Sequence, residues 1–118
     1  MNLELLTLLN FQEKVIQSSK PSMVLFSNDG CHLCTQLKPI CLKLAEEYSG
    51  LINFFNVDTL EEEKLTEIFS DDGVPTIYFF VNGDGTEIPY PADENSGYDE
   101  KTLRNFFNVF TSGKLKIV

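Results

Sequence analysis

The chain has 118 residues, 42% of them hydrophobic, which suits one compact domain with one core, so residues 1–118 are read as a single domain. Its 18 acids against 9 bases give a formal charge of -9. Such a charge repels phosphate backbones and anionic bilayers, which argues against nucleic-acid and membrane partners and for proteins or small molecules.

The opening MNLELLTLLNFQEKV is rich in leucine, but Glu4 interrupts the apolar run and neither a basic segment nor a small-residue cleavage motif accompanies it. It does not read as a secretory signal, and no apolar run is long enough to span a bilayer. The expectation is a soluble, cytoplasmic monomer, where reducing conditions disfavour a permanent structural disulfide. Residues 3–7 (LELLT) are expected to form a short strand, after which Leu8, Leu9, Phe11, Val15 and Ile16 share one face of a helix ending near Ser18 and Ser19.

Residues 22–27 (SMVLFS), set off by Pro21 and the NDG turn, read as a buried strand. A helix follows from Cys31 or His32 to Tyr48, with Ser49 and Gly50 as its stop signal, and Pro39 inside it removes one hydrogen bond and bends it. Residues 51–57 (LINFFNV) are the next strand. Thr59 and Glu62 have capping-box spacing for a helix that turns Leu65, Ile68 and Phe69 inward.

Residues 76–81 (TIYFFV) form a strand, NGDG at 82–85 is a hairpin signal, and residues 86–90 return as a strand that Pro89 confines to a sheet edge. An acidic loop over 91–97 leads to Asp99, an N-cap for a last helix burying Leu103, Phe106, Phe107 and Phe110. The order is βαβαβαββα. Alternation that ends in a hairpin predicts an α/β fold with a mixed central β-sheet flanked by helices on both faces, and ligand chemistry where strands end and helices begin.

All three cysteines and the single histidine fall in NDGCHLCTQLKPIC, residues 28–41. A metal site, a crosslink and a redox pair all use such residues. Zinc needs four ligands in tetrahedral array; Cys31, His32, Cys34 and Cys41 supply the number, but neighbours such as Cys31 and His32 converge poorly on one ion. A helix opening at Cys31 instead points unpaired N–H groups and a partial positive charge at its sulfur, which favours the nucleophilic thiolate. C-x-x-C spacing sets the second sulfur almost one turn further in, so that one thiol attacks and the other resolves. Cys41 shares a helical stripe with Leu37 and Leu44 and reads as a core residue.

These residues resemble the thioredoxin family. The resemblance lies in CHLCTQLKPICLKLAEEYSG (31–50), with proline at the eighth position after the first cysteine, in FFNVD (54–58) and in GVPTIYFFVNG (73–83). It implies the thioredoxin fold and a thiol–disulfide oxidoreductase with no cofactor and no metal. Cys31 would be the attacking thiolate and Cys34 the resolving thiol, passing through a mixed disulfide with disulfide-containing protein substrates. A thioredoxin reductase-type electron donor would restore the dithiol, placing the protein in electron transport. The resemblance further implies a cis Val74–Pro75 bond against the pair, with the backbone of Val74 free to meet an extended substrate strand.

Several positions depart from the family pattern. Gly30 stands where Trp is usual, and His32 and Leu33 replace Gly-Pro between the cysteines, so these three residues shape the site in their own way. A cationic His32 favours the thiolate and Asp29 opposes it. Against the family pattern, Leu25 occupies the place of a buried Asp and Phe54 that of a Lys, so either His32 or solvent takes the proton of Cys34 or that thiol deprotonates slowly, His32 being the hypothesis. The acidic 87–99 segment is longer than in a minimal thioredoxin, and its Tyr90 and Tyr98 either replace the missing Trp contact or cover the core. The rivals are a glutaredoxin-like, glutathione-dependent reductase, disfavoured by the lack of a Gly-Gly-Asp signature after the hairpin, and a redox-inert thioredoxin-like binding subunit.

Overall fold

A computed structural model describes residues 3–89 and 97–113. Its elements follow the expected order: β1 (Glu4–Leu5), α1 (Leu8–Phe11), β2 (Ser22–Ser27), α2 (His32–Glu47), β3 (Asn53–Asp58), α3 (Glu63–Phe69), β4 (Thr76–Val81), β5 (Asp84–Glu87) and α4 (Glu100–Asn108). Two π-helical turns, Gln12–Ile16 and Val109–Gly113, continue α1 and α4. The strands join in one sheet of order β1-β3-β2-β4-β5. β1 and β2 run parallel to β3, whereas β4 is antiparallel to both β2 and β5.

β2 is central and buried along its length, and its pleat divides the core. Met23 and Leu25 face Leu37, Cys41 and Leu44 of α2 and Leu103 and Phe107 of α4. Val24 and Phe26 face Phe11, Val15 and Leu65 on the opposite side. On the first side α2 and α4 are also tied at the surface: Arg104 grips Glu47 through two 2.8 Å hydrogen bonds and donates to Glu100 at 2.7 Å.

Local chemistry sets the boundaries. Thr7 and Asn10 cap α1 reciprocally, the Thr7 hydroxyl accepting from the Asn10 N–H and the Asn10 carboxamide from the Thr7 N–H. The expected apolar stripe of this helix is only partly used. Phe11 and Val15 are buried, while Leu8 is 49% and Leu9 94% exposed, because the chain widens into the π turn and keeps only the later residues against the sheet. Pro39 lies inside α2 on an exposed position, away from the buried line of Cys34, Leu37, Cys41 and Leu44.

β3 begins at Asn53 and not at residue 51, because Leu51 and Ile52 first give their N–H groups to the Tyr48 carbonyl and close the end of α2. The capping box expected from Thr59 and Glu62 does not form. α3 starts at Glu63, and the Glu62 carboxylate accepts from the Leu8 N–H at 2.9 Å instead. The inward line of this short helix runs through Leu65 and Phe69; Ile68, one residue short of Phe69, is 64% exposed.

The hairpin turn is Asn82-Gly83 alone, both residues at positive φ, so the return strand starts at Asp84, two residues earlier than expected, and ends at Glu87. β5 is the sheet edge, as Pro89 implied. Asp99 caps α4 by accepting from the Thr102 N–H at 2.7 Å. Leu103 and Phe107 are fully buried, and Phe106 and Phe110 lie half-buried with their rings on Phe79. Tyr90 and the stretch 91–96 of the acidic loop lie outside the described residues.

Candidate active site

Cys31 is the N-cap of α2, reached from the end of β2 through the short turn Asn28-Asp29-Gly30. Its carbonyl accepts the Thr35 N–H at 3.1 Å, and its sulfur accepts the Cys34 N–H, also at 3.1 Å. A 16-residue helix therefore opens directly onto this sulfur, and an N–H at that distance favours negative charge on it. Cys31 and Cys34 are joined in a disulfide with Cα atoms 5.2 Å apart. The two are not equivalent: Cys31 is half-exposed, whereas Cys34 has no accessible surface. An attacking partner reaches the first sulfur and not the second.

The Val74–Pro75 peptide bond is cis, with Pro75 buried and Val74 half-buried. Pro75 enters β4, and Thr76 pairs with Phe26 in the antiparallel register, so the proline arrives at the same end of β2 from which the turn to Cys31 departs. The turn before it is pinned from both sides: the Ser70 and Thr76 hydroxyls each donate to the Gly73 carbonyl at 2.7 Å, and Gly73 has φ +126. Residues 70–73 close a local turn, the Gly73 N–H donating to the Ser70 carbonyl at 3.2 Å, and the Ser70 hydroxyl also lies 3.1 Å from Thr76 Oγ1.

Leu33, half-exposed between the cysteines, faces Gly97: a Cβ built on that glycine would stand 3.7 Å from Leu33 Cδ1. The chain re-enters beside the pair at this point. Tyr98 is core, 5% exposed, its hydroxyl donating to the Ile88 carbonyl at 2.6 Å and accepting from the Ile77 N–H at 3.3 Å. It does not replace a tryptophan at the surface.

His32 is exposed, and its Nε2 lies 3.2 Å from Gln36 Nε2, one turn along the outer face of α2. Cys34 has no accessible surface, whereas the His32 ring lies in solvent beside Gln36, so the two side chains are held in different environments. Cys41 is a free thiol with no accessible surface, and burial pushes it up to about 12. Among the described residues no group of three or more His, Cys, Asp or Glu side chains is placed to hold a metal ion, and no helix is long and apolar enough to cross a membrane.

The residue that sequence reasoning passed over is Asn28. Its Oδ1 accepts the Gly30 N–H at 3.0 Å and its Nδ2 donates to the Thr59 hydroxyl at 3.1 Å. An Asn two residues before a Gly is the signature of an Asx turn, which was the available signal; the partner, 31 residues away, was not visible.

A family model described as Thioredoxin matches residues 2–108. Among curated proteins, the chain is 31% identical over 98 residues to a thioredoxin of Borreliella burgdorferi, covering 83% of each chain. It is 33% identical over 78 residues to a chloroplastic M-type thioredoxin of Spinacia oleracea, covering 66% of this chain and 43% of the relative. It is also 34% identical over 110 residues to the protein disulfide-isomerase erp38 of Neurospora crassa, covering 91% of this chain and 29% of the relative. The chain thus spans less than two thirds of the length of several relatives that it matches.

Proposed function

Because this chain belongs to the thioredoxin family, we propose that it is a thiol–disulfide oxidoreductase that reduces protein disulfides through Cys31 and Cys34. The observation that carries this reading is the asymmetry of the pair: a half-exposed sulfur at the mouth of a helix, joined to a partner with no accessible surface one turn further in.

In the dithiol form the Cys31 thiolate attacks one sulfur of a substrate disulfide. That S–S bond breaks, a mixed disulfide forms at Cys31, and the departing substrate thiolate takes a proton. Cys34 then loses its proton and attacks the Cys31 sulfur, releasing the second substrate thiolate. Two electrons have passed to the substrate, and the Cys31–Cys34 disulfide remains. A thioredoxin reductase-type donor restores the dithiol. The reading includes a cytoplasmic monomer engaged in electron transport, with the backbone at Val74 receiving an extended segment of the substrate.

The test is insulin reduction with dithiothreitol as terminal reductant. Wild type should accelerate precipitation of the insulin B chain, Cys31→Ser should abolish the acceleration, and Cys34→Ser should accumulate the mixed disulfide. Equal rates for wild type and Cys31→Ser would reject the catalytic reading in favour of a redox-inert binding subunit. Turnover with glutathione as fast as with thioredoxin reductase would reassign the donor and make the protein glutaredoxin-like.

A further inference from the structure

We propose that Asn28 is a positioning residue for Cys31, a role that rests on the oxidoreductase reading above: its carboxamide locks the strand-to-helix turn and thereby sets how the Cys31 sulfur meets the start of α2.

The turn has three residues, two of which are exposed. Gly30 is exposed, and the Asp29 side chain is 99% exposed with only a 4.0 Å approach to Lys38. Asn28 is half-buried and engaged at every polar atom of its side chain. The Gly30 N–H can only donate, so the carboxamide atom facing it is the oxygen, which leaves Nδ2 as the donor to the Thr59 hydroxyl. The Asn28 carbonyl also accepts the Cys31 N–H at 3.3 Å, and the Thr59 N–H donates to the Ser27 carbonyl at 3.0 Å.

One side chain thus ties the residue before Cys31 to the segment that follows β3. Cys31 inherits its place as N-cap from that tie, and with it the 3.1 Å approach of the Cys34 N–H to its sulfur. Releasing the turn lets the sulfur drift from the N–H groups that favour the thiolate, so the thiol should titrate at higher pH and react more slowly below that pH. The charged groups around the turn are Asp29, Lys38 and Asp58, which line one cleft with Asn28, and the neighbouring His32. Asp58 lends an oxygen to the Leu60 N–H at 2.9 Å. The substitutions below leave all four in place.

The experiment follows Cys31 alone in the reduced protein, by mass-spectrometric rates of iodoacetamide alkylation at that residue against pH, whose midpoint gives its titration. Thr59→Val keeps the shape of the side chain and removes the acceptor for Nδ2; Asn28→Ala removes both ties. The expected upward shift of the Cys31 titration is about half a pH unit for Thr59→Val and about one unit for Asn28→Ala, a roughly threefold and tenfold fall in alkylation rate at acidic pH. Thr59→Val should add nothing in the Asn28→Ala background, because its effect passes through Asn28. An unshifted titration in both variants, or a full Thr59→Val effect in the absence of Asn28, would overturn the proposal. The readout needs no substrate, so a wild type inactive on insulin counts against the oxidoreductase reading and leaves the positioning result legible.

Discussion

The ring of Phe80 lies across the backbone of Gly85, its cross-strand partner: a Cβ built on that glycine would stand 2.9 Å from Cδ2 and from Cζ of the ring. Phe80 is 2% exposed and is held in place by the rings of Phe11, Phe69 and Tyr78. It has no room to yield. Gly85→Ala is therefore expected to destabilise the fold by about 1–3 kcal/mol through overpacking, measured by urea unfolding, with disulfide exchange intact in the folded protein.

Cys41 is predicted to be silent toward thiol reagents in the native state. In the reduced protein, iodoacetamide should label Cys31 and spare Cys41 until denaturant is added. Its folded-state value, about 12, lies above the unfolded 9.0, so the stability linked to its neutral form is complete below 9.0 and fades as pH rises toward 12. The stability advantage of wild type over Cys41→Ala should narrow across that window. Tyr48 and Tyr78, which burial also pushes up, are common to both proteins and cancel in the comparison. A constant advantage would show that the thiol does not titrate in the unfolding equilibrium.

Arg104 holds Glu47 below the usual carboxylate range, mainly through its hydrogen bonds, and holds Glu100 there together with Lys43. A depressed carboxylate stabilises the fold above its unfolded value and ceases to do so as pH falls through the folded one. The difference in melting temperature between wild type and Arg104→Gln should be present at neutral pH and shrink below about 4.5, the ordinary value for both acids. Because the groups are exposed, added salt should shrink it as well.

His32→Ala should leave the resolving step untouched. A mixed disulfide prepared between Cys31 and a chromophoric thiol releases that thiol when Cys34 attacks, and the rate and pH profile of release should match wild type. A displaced profile would restore His32 as the proton acceptor, against a ring that lies beside Gln36 on the outer face.

The centre of the fold was legible because its signals are local. Pro21 and the NDG turn bracket an apolar run that became β2, and the line from Cys34 through Leu37 and Cys41 to Leu44 reads directly as the buried face of α2. Misreadings arose where a distant group outbid a local one. Glu62 had capping-box spacing from Thr59, yet its carboxylate serves Leu8, 54 residues away in sequence. Leu8, Leu9 and Ile68 had suitable spacing too, but the π turn after α1 and the late start of α3 left them in solvent. Spacing identified the cysteine pair; only the folded chain reveals that an asparagine and a threonine from two different crossovers meet beside it.

Both margins of the sheet are poor templates for self-assembly. β1 is two residues long, and β5 presents Asp84 and Glu87 on a fully exposed four-residue strand. A second molecule laid against β5 in either direction would set carboxylates against carboxylates, so fibril growth by strand addition is opposed electrostatically from that side and starved of backbone length from the other.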